Sequence, residues 1–109
     1  MRPIDAHALE LHDAVLLAIE ADPVHRRLRV RLDVHLDDGE LDKRTHCVIA
    51  FDEVTRHVES LDWAELAHHA PGGNVSHWVP ARGEGTTVFH LAHGFLSVTA
   101  ARIDVLVDA

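Results

Sequence analysis

A chain of 109 residues, 47% apolar and 26% charged, has the makings of one globular domain, residues 1–109, with one modest core. Its longest uninterrupted apolar run, Ala14 to Ile19, is too short to cross a bilayer, and a net charge of −8 repels phosphates and argues against non-specific nucleic-acid binding, so no membrane or nucleic-acid partner is expected. The single cysteine, Cys47, rules out an internal disulfide or a multi-cysteine zinc site; with no apolar signal segment in Met1–Asp5, the expected location is cytoplasmic.

Residues 5–21 read two ways. Leu9, His12, Leu16 and Ile19 would share a helical face, yet Val15, Leu17, Ile19 and Ala21 alternate as in a strand. The turn signal Asp22-Pro23 favours a strand from about Asp13 to Ala21, hairpinned to the next element and preceded by a short turn or helix. That next element is the clearest in the chain. From Arg27 to Leu36, Leu28, Val30, Leu32, Val34 and Leu36 fall on one parity, and Arg27, Arg29, Arg31, Asp33 and His35 on the other. Successive strand side chains point to opposite faces, so this strand has one packed face and one wet face. Asp37-Asp38-Gly39-Glu40 should turn it into a third strand with Thr45, Cys47, Ile49 and Phe51 inward.

A helix follows. Asp62 can cap it, with Glu65 three residues on, and Leu61 and Leu66 stand where a hydrophobic staple belongs. Pro71-Gly72-Gly73 stops it, so it spans roughly Trp63 to His69 and should lean on the sheet through Leu66 and Trp63. Val75–Val79 reads as a short strand and Pro80–Gly85 as a loop. A hairpin turning at His93-Gly94 would set Leu91 opposite Leu96 and Phe89 opposite Val98 on one face, with His90 opposite Ser97 and Val88 opposite Thr99 on the other. Beyond it the apolar parity slips from Leu96, Val98 and Ala100 to Ile103, Val105 and Val107, which predicts a β-bulge near Ala100-Ala101. The expected fold is mainly β (α+β): an antiparallel sheet or open β-sandwich of five to six strands with one short helix.

Eleven histidines are the compositional oddity, and their full protonation would reverse the sign of the net charge. A metal site needs three or four converging ligands, and the spacings here favour scattered surface histidines: His90 and His93 face opposite sides of a strand, and His68 and His69 diverge on a helix. If a divalent metal binds, His12 and Asp13 are the ligands the sequence offers, joined by a distant histidine; no other cofactor is expected. Cys47 shares the core parity, away from His46, and reads as a buried apolar residue rather than a nucleophile. The row Arg27, Arg29 and Arg31 is the best candidate for an interaction surface, against the plainer alternative of cross-strand pairing with Glu20 or Asp22. No G-x-S-x-G, P-loop or H-E-x-x-H motif is present.

The segment Leu11-His12-Asp13-Ala14-Val15-Leu16-Leu17-Ala18-Ile19, followed by the charged alternating strand and an apolar strand ending near Phe51 and Val54, resembles small uncharacterised bacterial β-rich domains that open with L-H-D. Some of those are grouped with immunity proteins of polymorphic toxins. The resemblance covers the first half of the chain, implies an antiparallel β fold and an immunity-like role, and transfers no catalytic residues. Together these readings point to a non-enzymatic protein-interaction module with an unidentified protein partner or a second copy of itself. An immunity-like inhibitor or a metal-binding protein or metal-dependent enzyme using histidines is the alternative.

Overall fold

The computed structural model describes residues 1–38 and 41–108, with side chains described outside 37–43. Seven strands lie in one antiparallel sheet among these residues: β1 (Arg2–Ile4), β2 (Val15–Asp22), β3 (Arg27–Asp38), β4 (Leu41–Ser60), β5 (Val75–Val79), β6 (Gly85–Leu91) and β7 (Gly94–Val107). Across the sheet the order is β2-β3-β4-β7-β6-β5, and β1 pairs with the end of β7. One helix, α1 (Trp63–His69), followed by a 3-10 turn over Ala70–Gly72, connects β4 to β5. The chain is thus mainly β with one short helix, as the alternation implied. It forms one sheet rather than a sandwich, and β1, three residues long, is a strand the sequence did not announce.

The alternation places the core. Leu28, Val30, Leu32 and Val34 of β3 are buried, as are Cys47, Ile49 and Phe51 of β4 opposite them. Phe51 meets Phe89 edge-on at 6.3 Å between ring centroids, and Phe89 stacks on Trp78 at 5.5 Å. The two edges of the sheet are tied at one end. Val75 N–H donates to Ala14 O at 2.9 Å, Asp13 N–H donates to Val75 O at 3.2 Å, and the Trp78 indole N–H donates to Leu9 O at 2.9 Å. These bonds curl the sheet over its apolar face.

Three irregularities depart from the sequence reading, each with a local cause. In β2 the register to β3 shifts between Leu16 and Ala18, so Leu17 is an extra residue. Leu16 and Ile19 therefore both pack on the core while Leu17 is exposed, which is why a strand carried helix-like spacing. Beside Ala100 the register shifts as expected, but the extra residue is Thr55 on β4: Val54 pairs with Ala100 and Arg56 with Thr99. The bulge lies next to Glu53, with φ +54°, and β4 runs on to Ser60; the inward face of β7 passes from even to odd positions between Ala100 and Ile103, opposite Val54 and Phe51.

The β6–β7 hairpin turns one residue earlier than expected, at Ala92-His93. Leu91 pairs with Gly94, Phe89 with Leu96 and Val88 with Ser97. Gly94 belongs to the strand because a Cβ there would stand 2.2 Å from the carbonyl oxygen of Ser60; close approach, not turn geometry, requires the glycine. His93 takes the left-handed conformation instead, with φ +55°. The pairing moves by two residues, so both faces keep their expected members. The turn expected at Asp37–Glu40 falls on Gly39 and Glu40, outside the described residues.

Candidate functional site: a groove beside the free edge of β2

β2 is an edge strand. β3 covers one side of it; along Leu17–Asp22 the other side donates and accepts no backbone hydrogen bond among the described residues. Facing that side is the far half of β4, which β3 no longer accompanies because β3 begins opposite Asp52. The gap between them is a groove. At one end it holds a volume of about 340 Å³ over Leu16, Ile19, Leu61 and Leu66, and at the other about 520 Å³ over Ala21, Leu28 and Val54. Ala21 and His57 line both ends, so the two depressions adjoin.

Local sequence builds each wall. The bulge at Leu17 turns that side chain outward, leaving it 56% exposed. Asp62 caps α1 by accepting a hydrogen bond from Glu65 N–H at 3.1 Å, and Leu61 and Leu66 pack against the core. The cap and staple were legible in the sequence; the role of Trp63 was not. Rather than leaning on the sheet, Trp63, at the first position of α1, is 79% exposed and lines the apolar end of the groove together with Leu66, three residues on along the same helix face. Beneath lies Asn74, 4% exposed. Its Oδ1 accepts from Leu16 N–H at 2.7 Å and its Nδ2 donates to Leu66 O at 3.0 Å, so one amide fixes β2 to α1. Sequence reading passed over Asn74; an Asn after two glycines looks like a turn residue.

The opposite end is cationic within an acidic chain. Arg26, Arg27 and Arg56 line it. Arg26 donates to Val54 O at 3.0 Å, Arg27 lies 3.6 Å from Asp52, and Arg56 has no carboxylate within ion-pair distance among the described residues. Asp22, the acid of this end, is held by His25 at 2.8 Å; that hydrogen bond keeps its carboxyl below the usual range.

Of the expected interaction row, only Arg27 joins the groove. Arg31 pairs with Glu20 across β2 and β3, as the plainer alternative had it, and Arg29 stands opposite Glu20 in the β2–β3 register. His12 and Asp13 sit together at 3.4 Å on the surface, and among the described residues no third His, Cys, Asp or Glu converges on them. Asp13 serves through its backbone, at φ +64°, rather than by capping with its carboxylate. Cys47 is fully buried, and burial pushes its thiol up to about 12. His90 stacks on His77 at 4.2 Å, away from His93. His93 instead meets Glu65 and His69 of α1, a grouping that depends on where the β6–β7 turn falls.

No family model, curated protein or solved structure matches this chain. Among the described residues no helix is long and apolar enough to cross a membrane.

Proposed function

We propose that this chain is a non-enzymatic protein-interaction domain whose groove receives an extended segment of a partner alongside the free edge of β2. The observation that carries this is the pair Leu17 and Trp63: two large apolar side chains held out of the core, flanking an apolar floor next to unpaired strand backbone. Large exposed apolar groups at one place mark contact surfaces, and a free edge binds by adding a strand. The chemistry of the occupant follows from the walls. Apolar side chains suit the Leu17–Trp63 end, and carboxylates suit the end with Arg26, Arg27 and Arg56. A reducing compartment fits the lone buried thiol of Cys47.

The test is selection from a random displayed peptide library on the intact chain, followed by affinity measurement with the selected peptides. Enrichment of acidic–apolar sequences is expected, with at least ten-fold weaker binding to Trp63→Ala and Leu17→Asp, as loss of anchor residues produces. Arg56→Glu should weaken binding most at low salt. Peptides that bind all three variants as they bind the parent chain refute the groove. So does a chain that elutes as a dimer and becomes monomeric on Leu17→Asp, since a second copy then covers this face.

A further inference from the structure

The geometry points to a divalent transition-metal site, most suited to zinc, formed by Glu65 and His69 of α1 with His93 of the β6–β7 turn. The ligand atoms of the three residues all lie within 4.8 Å of one another. Glu65 Oε2 stands 3.3 Å from His69 Nε2 and 3.5 Å from His93 Nε2. A charge-assisted hydrogen bond would draw such atoms to about 2.7–2.9 Å. The edge of a zinc coordination tetrahedron, with bonds of about 2.0–2.2 Å, is instead about 3.3–3.5 Å. Two edges of the trio therefore already have the length that a shared ion imposes.

Each part of the trio has a structural origin. Glu65 and His69 are four apart on α1 and so share one face. The imidazoles of His69 and His93 stack with 23° between planes and centroids 6.3 Å apart, so their Nε2 atoms flank the same carboxylate oxygen. His93 holds the left-handed conformation at φ +55°, where glycine or asparagine would be cheaper, and that conformation aims its ring at α1. The three side chains are 37%, 45% and 65% exposed, so the ion would keep at least one position for water or another ligand. Two imidazoles and one carboxylate suit zinc, nickel, cobalt or copper rather than calcium or magnesium. The proposal goes beyond the groove reading and does not depend on it.

The experiment titrates the chelator-stripped full chain with Zn²⁺ by calorimetry and repeats it on His93→Asn, Glu65→Gln and, as a control, His12→Ala. Asn tolerates the left-handed conformation, so His93→Asn removes a ligand without a folding penalty. Expected are one tight equivalent in the parent chain and in His12→Ala, at least ten-fold weaker binding in the other two, and a Zn²⁺-dependent rise in Tm only where binding survives. Trp63 lies beside His93 in one surface depression, so Co²⁺ should quench its fluorescence in the parent and not in His93→Asn. Binding of several weak equivalents, unchanged in the trio variants, shows scattered surface histidines and overturns the site. Loss of binding in His12→Ala overturns it in favour of His12 and Asp13.

Discussion

Replacing Asn74 by Ala should be among the costliest single changes in this chain. The amide satisfies two part-buried backbone groups at once, Leu16 N–H at 2.7 Å and Leu66 O at 3.0 Å. Each hydrogen bond contributes about 1 kcal/mol net, and each buried backbone group left without a partner costs about 1–3 kcal/mol unless water reaches it. Leu16 and Leu66 line the groove, so water can partly relieve both, and the sum is about 3–4 kcal/mol. In a domain of this size that lowers Tm by roughly 12–20 °C. Urea and thermal unfolding followed by circular dichroism read the global loss, and amide exchange at Leu16 reads the local one. A loss under about 1 kcal/mol, or unchanged exchange at Leu16, refutes the claim that this amide fixes β2 to α1.

Gly94→Ala should cost about 3 kcal/mol or more, the upper end for overpacking, because the new Cβ meets the Ser60 carbonyl at 2.2 Å and backbone cannot step aside as a side chain does; urea midpoints check it. Cys47 should resist thiol reagents at pH 8 until the chain unfolds. Its raised pKa also sets the sign of an alkaline effect: above about 9 the unfolded thiol ionises while the folded one, at about 12, keeps its proton, so stability falls with rising pH across that window by at most about 1.4 kcal/mol per unit. Cys47→Ala should flatten that slope in unfolding measured from pH 8 to 10.5. Asp22 has a lowered folded pKa through His25, so the pairing supports the fold above the ordinary carboxylate range and is lost as pH falls through the folded value. In His25→Ala the NMR titration midpoint of Asp22 should rise; an unmoved midpoint refutes the pairing.

The regular parts of the fold were legible because they obey one period. Leu28 to Val34 alternate without error, and the cap, staple and stop of α1 are all local signals, so β3 and the helix could be read residue by residue. What failed were the places where a residue is inserted. Leu17 gave β2 the spacing of a helix, and Thr55 hid the second half of β4. Gly94 looked like a turn residue because its reason, the Ser60 carbonyl, lies in a distant strand that pairs with it only after folding.

The same departures from strict alternation lie at the candidate sites. The bulge at Leu17 frees a leucine from the core, the one at Thr55 lies in the wall of the groove where β4 has passed the start of β3, and the shifted β6–β7 turn brings His93 to α1. A chain with strict alternation throughout would pair β4 fully, bury or solvate every side chain, and leave no groove. Sequence periodicity therefore finds the scaffold and misses the sites for one physical reason. A binding surface needs apolar side chains and unpaired backbone left outside the ladder, and a regular strand leaves neither. Deleting Leu17 should accordingly restore a continuous β2–β3 register and keep the chain folded, while abolishing peptide binding at the groove. Retained binding in that variant would mean that the bulge is incidental and the contact surface lies elsewhere.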